Sequence, residues 1–294
     1  MPRDHHLLPF AAALAGVGLF SLMDALMKGA ALAVGAYSAL LLRSGASFLL
    51  ITPVWLATRT ERPSREAKRL HALRGVVAAA MAFTFFWGIA RVPLAEAIAL
   101  SFTAPLIALY LAALLLGEKV SARAAYASLL GIAGVAVIGI GRMQMPSADP
   151  EALKGIASVL LSSLLYAWNL VLQRQQALLA KPAEVAAWQN GVTGIVLLVL
   201  APFLFAMPGR EAWLGIIGAA VLWIGAAMLF AWAYARAEAQ ALVPLEYSGF
   251  LWAALFGWLF FAEPLRWPVV LGAGLIVIAC WIAAPRKRTE QTAA

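Results

Sequence analysis

Asp24, Arg43 and Glu246 are ionisable, and each falls inside an apolar run of this 294-residue chain. An ion in hydrocarbon is costly, so such residues face a partner, a polar cavity or a substrate. Arg43 lies about two helical turns into its run, and Asp24 about one turn from the same end of the preceding run. The helix rise brings them to similar depth, so an Asp24–Arg43 pair is expected. Such a pair either fixes two helices together or leaves one partner for the charged end of a substrate. A carboxylate suits the arginine, whose planar fork binds it through two parallel hydrogen bonds. Glu246, about two turns into a later run, could bind an amine or exchange a proton. It could equally accept a bond from Tyr247 or a neighbouring helix.

Ser21, Asp24 and Lys28 share one helix face by their spacing. Tyr166, Asn169 and Gln173 stand 145 residues further on at the same spacing. A polar stripe present twice either lines a water-filled interior or bonds helices to one another. Lys28, at the end of its run, is expected to snorkel to the membrane interface. Phe83, Phe86 and Trp87 occupy one face of another run, and Trp232 answers Trp87. In a polar cavity such rings, with Tyr166 and Tyr247, would stack on a flat apolar group. At span ends they would instead anchor the interface, the reading taken for Trp55, Trp213, Trp267 and Trp281.

A duplication organises the elements that carry these residues. The pairs Trp87 and Trp232, Arg91 and Arg236, Glu118 and Glu263, and Ser101 and Glu246 are each 145 apart. Two domains follow, residues 1–145 and 146–294. With 64% hydrophobic and 12% charged residues, the chain could not hide its apolar surface in water. Five apolar runs fill the first half: Pro9–Met27, Ala36–Ala57, Gly75–Ala90, Ala95–Leu116 and Ala124–Gly141. Five more fill the second: Gly155–Leu172, Val185–Ala206, Trp213–Ala235, Gln240–Phe261 and Trp267–Ala284. Each is long enough to cross the apolar core as a helix, and none alternates with the period of a barrel strand. The first run resembles a signal peptide, but its counterpart is internal, so the duplication makes it a mature helix. The fold class is an all-α integral membrane protein of ten transmembrane helices.

Five spans per half reverse the second copy, giving an inverted repeat. Placing the Arg59, Arg62, Arg65, Lys68, Arg69 and Arg74 loop inside puts fifteen basic residues in the cytoplasm. The others there are Arg3, Lys119, Arg123, Arg174, Lys181, Arg236, Arg286, Lys287 and Arg288. Six face outward: Lys28, Arg91, Arg142, Lys154, Arg210 and Arg266. That bias places both termini in the cytoplasm of an inner membrane. The net charge of +8 is read as positive loops facing anionic lipid, not as a nucleic-acid surface.

With its ten spans, two five-helix halves, and Gly117-Glu118-Lys119-Val120 and Ala262-Glu263-Pro264-Leu265 closing the fourth helix of each half, the chain resembles the drug/metabolite transporter superfamily, EamA type. Among its members it looks most like the YddG-type exporters of aromatic amino acids. Ala262 stands in the glycine position, a departure from the pattern. The resemblance implies a central cavity lined by helices one to four and six to nine, with helices five and ten at the periphery. Gly131, Gly134 and Gly139 in the fifth and Gly272 and Gly274 in the tenth would permit close helix contact, a homodimer included. Pro105 and Pro244 could form gating hinges or only static kinks. Glu118 and Glu263 are read as turn and helix-start residues.

No Walker A sequence is present, so ATP does not drive the protein directly, and no recognisable catalytic grouping points to an enzyme. His5, His6 and His71, near a terminus and in a loop, argue against a metal site, and no cofactor is expected. The expected substrate is a small zwitterion with a flat apolar group, an amino acid foremost. Arg43 would hold its carboxylate and Asp24 or Glu246 its ammonium. Phe83, Trp87, Ser101, Tyr166, Asn169, Gln173 and Trp232 would line the path. Efflux of organic cations or drugs and metabolite uptake are the alternatives, with an intramembrane enzyme more remote.

Overall fold

The computed structural model describes residues 8–58, 62–116, 122–143, 150–177, 179–237, 242 and 245–283. Among them every regular element is a helix. α1 (Leu8–Thr58) carries the first two runs. Gly35 breaks it, with φ 81° and ψ 149°, a backbone region that essentially only glycine enters. α1 is therefore two limbs, 8–34 and 36–58. There follow α2 (Arg65–Ile89), α3 (Leu94–Ser101), α4 (Ala104–Leu116), α5 (Ala122–Met143) and α6 (Pro150–Ala177). The remainder is α7 (Pro182–Leu198), α8 (Ala201–Leu204), α9 (Arg210–Tyr234), α10 (Gly249–Phe261) and α11 (Trp267–Ala283). Where they are described, the ten apolar runs fall on these helices or their junctions. Glu118 and Pro244 lie outside the described residues.

α2 corrects one expectation. It starts at Arg65, because Ser64 caps it by accepting a bond from Ala67 N at 3.0 Å. His71 and Arg74, read above as loop residues, lie inside this helix and are buried. Hydropathy marks where a helix enters lipid; the cap marks where the helix begins. Lys28 is likewise buried. Arg74 and Lys28 therefore drop out of the loop charges counted from the sequence, leaving fourteen against five.

The fourth run is not one helix. α3 ends and α4 begins across Phe102 and Thr103, because Pro105 has no N–H to offer the carbonyl of Ser101. The ninth run is broken at Tyr247 and Ser248, 145 residues further on. The two breaks touch. The Phe102 and Tyr247 rings meet edge to face at 5.2 Å, and Cys280 Sγ donates to the Phe102 carbonyl at 3.1 Å.

α5 and α11 pack chiefly on one another. At Gly134 and Gly272 the two backbones approach so closely that a Cβ on either would lie within 2.7 Å of the other's carbonyl oxygen. Gly139 and Gly274 meet nothing within 4 Å. The close approach that the small residues permit is thus made at Gly134 and Gly272 inside one chain. The outward surface is apolar: Leu49 is 72% exposed, Phe203 84% and Trp267 76%. Large apolar side chains outside and charges inside reverse the arrangement of a water-soluble protein, which is what a hydrocarbon solvent selects.

Ala262 ends α10 in the left-handed region, at φ 51° and ψ 34°. An L-residue there is disfavoured by roughly 1–2 kcal/mol relative to glycine's freedom. Ala262→Gly is therefore expected to raise thermal stability by about 1 kcal/mol, less the entropy glycine adds to the unfolded chain. A melting temperature below that of the wild type would contradict this.

Candidate functional site

Arg43 sits in the second limb of α1 and is 6% exposed. Its guanidinium carbon lies 5.9 Å from the ring centres of both Phe86 on α2 and Trp223 on α9. Nε and Nη1 are buried and meet no acceptor. The hydroxyls of Ser44 and Ser47 beside it are also buried without partners. Asp24, on the first limb, is half-buried and feels the charge of Arg43. The two do not touch: no N–O pair between them lies within 4.0 Å. The expected direct pair is replaced by two opposite charges held apart. Burying a cation without acceptors costs several kcal/mol, which packing against two rings only partly offsets. What the geometry leaves is two guanidinium donors, on different edges of the group, that an acceptor oxygen would satisfy.

The second polar stripe meets a different arginine. Arg74, 5% exposed, donates through Nε to Asn169 at 3.0 Å and through Nη2 to Gln173 at 3.4 Å. Its Nη1 donates to Gln176. Gln176 continues to His71, and His71 Nε2 meets Glu184 Oε1 at 2.9 Å. The imidazole stacks on Trp188 at 5.3 Å, and Trp188 packs edge-on against Trp55. Tyr166 lies within the field of both Arg74 and Glu246. Glu246 accepts a hydrogen bond from Tyr234 on α9, and not from Tyr247. α6 is tied further to α2 by Ser158 and Ser162, which donate to the carbonyls of Thr84 and Met81 at 2.7 and 2.8 Å.

The other expected residues lie apart from Arg43. Trp87 is covered by the Arg91 guanidinium at 3.3 Å, and Arg91 continues to Glu151 at 3.0 Å. Trp232 is covered by Arg236 at 4.3 Å, the same local motif in the other half. The Ser101 hydroxyl donates to the Ala97 carbonyl at 2.9 Å. Phe83 packs half-buried against the main apolar core. Lys28 does not snorkel. It is 4% exposed, ion-pairs with Glu263, donates to the Val92 carbonyl at 2.6 Å and lies 5.3 Å from the Phe261 ring centre. Glu263 also accepts from Leu94 N at 2.8 Å, so it caps α3 across the molecule rather than starting its own helix.

His71, Arg74, Gln176 and Trp223 escaped the sequence reading. The cap at Ser64 and the one-turn spacing of His71 and Arg74 were the usable signals for two of them. Nothing local marks Gln176 or Trp223.

Charges folded inward under a sheath of leucine, phenylalanine and tryptophan define a helical membrane protein. A sequence model of the EamA-like transporter family matches twice, over residues 8–140 and 153–284. This chain belongs to that family. It is 29% identical over 272 residues to the pseudopaline exporter of Pseudomonas aeruginosa strain UCBPP-PA14, covering 92% of this chain and 93% of that one. It is 29% identical over 293 residues to a riboflavin transporter of Vibrio cholerae serotype O1, covering 95% and 94%. A crystal structure superposes with a TM-score of 0.62 at 20% identity, covering 93% of this chain and 96% of the other, a likeness of fold alone. The relatives are named as transporters, of compounds other than the amino acids expected above.

Proposed function

We propose that this protein exports small zwitterionic metabolites, aromatic amino acids foremost, across an inner membrane. The two halves act as inverted repeats that expose one central site to each side in turn. Both termini are cytoplasmic, as the basic loops favour. The observation that carries the reading is Arg43, buried between Phe86 and Trp223 with two donors unanswered and Asp24 held beyond bonding distance. A substrate carboxylate would accept from one of these unanswered donors, and its ammonium would face Asp24. A flat side chain would lie against the two rings. These rings, rather than Trp87 and Trp232, are the ones beside the charge.

The test is transport by the pure protein in liposomes. Labelled tryptophan, alanine, glutamate and riboflavin are offered side by side. Tryptophan is expected to enter by a saturable route, several-fold faster than alanine. Riboflavin has the flat ring system but no carboxylate. Riboflavin moving while tryptophan does not would replace the zwitterion reading with recognition of the ring alone. Equal rates for tryptophan and alanine would remove the aromatic part.

A further inference from the structure

The chain Arg74–Gln176–His71–Glu184 has a direction that its chemistry dictates. An arginine only donates, so the Gln176 oxygen faces Arg74 and its amide nitrogen faces His71 Nδ1. Nδ1 must then accept. The imidazole is neutral, with its proton on Nε2, donated to Glu184 Oε1 at 2.9 Å. His71 is 0% exposed and Gln176 1%. Histidine is the side chain suited to taking up a proton near neutrality, and Nδ1 is the only ring position that can receive one here.

We propose that His71 is a proton-binding site that couples proton movement to transport. A proton arriving on Nδ1 turns that atom into a donor facing the donor amide of Gln176. The amide must rotate by half a turn so that its oxygen accepts from Nδ1. Its nitrogen then faces Arg74 Nη1, donor against donor, and that link breaks. The proton stays on the ring, and Glu184 balances the new imidazolium through Nε2. Arg74 and His71 stand on α2 of the first half, Gln176 on α6 and Glu184 on α7 of the second. One proton therefore weakens a bond between the two halves, the parts that must move for access to alternate.

The charged groups around the ring are Glu184 at Nε2, the Arg74 cation one turn on in α2, which reaches Nδ1 through Gln176 and opposes a second positive charge there, and Lys181, exposed one turn before Glu184 at the start of α7. α7 supplies Glu184, and α6 supplies Gln176 with Tyr166 further along beside Arg74. α1 meets α2 with Arg43 at Phe86, about four turns away. α3 brings Glu96 in its first turn, beyond the far end of α2. On α2 itself Lys68, one turn back, is exposed.

Two measurements test this, and only the second rests on the transport reading. His71 is one of three histidines, so replacing His5 and His6 with alanine in the full chain leaves a single imidazole. Nitrogen NMR of 15N-histidine-labelled protein in nanodiscs should show the Nε2–H tautomer in alkali and conversion to imidazolium in acid. An Nδ1–H tautomer, or a ring that stays neutral until the protein unfolds, would overturn the proposal. In liposomes, an imposed pH gradient should speed labelled tryptophan or riboflavin flux about tenfold, the equivalent of one charge-assisted bond. His71→Gln should abolish that response while exchange at equal pH on both sides stays within about twofold of the wild type. A surviving gradient response, or equal loss of both activities, would refute coupling at His71. Where His71→Gln fails to fold, Glu184→Gln carries the same comparison. If neither probe moves, the transport reading fails and the tautomer measurement still decides the proton site.

Discussion

Arg43→Gln is expected to weaken saturable tryptophan uptake severely while leaving the protein at least as heat-stable as the wild type. The loss of function follows from chemistry. Hydrogen bonds to a charged group are worth roughly 1.5–3 kcal/mol, so losing the guanidinium should raise half-saturation by about ten- to a hundredfold. The stability result runs against the usual expectation for a buried residue. Arg43 Nε and Nη1 have no acceptor to lose, and glutamine removes a buried cation whose counter-charge, Asp24, stands beyond bonding distance. Uptake against concentration and a thermal melt of the same preparation check both halves. A lower melting temperature together with lost transport would make Arg43 a structural ion. Arg43→Lys separates charge from shape: it keeps the charge but loses the planar fork, so an intermediate affinity is expected.

Glu263→Gln is expected to be among the most damaging single substitutions, by roughly 3–5 kcal/mol. It takes the ion-pair carboxylate away from the Lys28 ammonium, which has 5% of its side chain exposed and also meets the Val92 carbonyl and the Phe261 ring. Lys28→Met should do somewhat less harm. The Glu263 side chain is 17% exposed and keeps its bond from Leu94 N. The double variant Lys28→Met, Glu263→Gln should recover most of the loss, because no buried charge is left without its partner. Thermal unfolding of the four proteins gives the coupling directly. Additive losses would show that the two side chains act separately, the ion pair contributing nothing of its own.

The membrane class, the helical runs and the duplication were legible in the sequence because they depend on composition and period. Sixty-four per cent hydrophobic residues in runs of helical length admit few other folds. The matched breaks at Phe102–Thr103 and Tyr247–Ser248 were half legible. Pro105 marks the first, and the offset of 145 carries it to the second. That the two breaks meet through Phe102 and Tyr247 has no local signal. Arg74 shows the limit of hydropathy more sharply. It stands beside a basic loop in sequence, yet Asn169, Gln173 and Gln176 of the other half draw it into the core.

Sequence alone determined that Asp24, Arg43 and Glu246 would sit within apolar helical runs, where each needs a partner or a polar surrounding. It also determined that two polar stripes would recur. Only the tertiary structure decided who meets whom. Lys28 finds Glu263, 235 residues away. Glu246 finds Tyr234 rather than Tyr247. Arg43 is left between Phe86 and Trp223, apart from Asp24. Periodicity fixes depth and face within one helix, but the neighbour across the gap depends on how helices from both halves rotate and tilt together. That choice is made by close packing over the whole bundle, where a glycine contact such as Gly134 against Gly272 sets distances that no single run encodes.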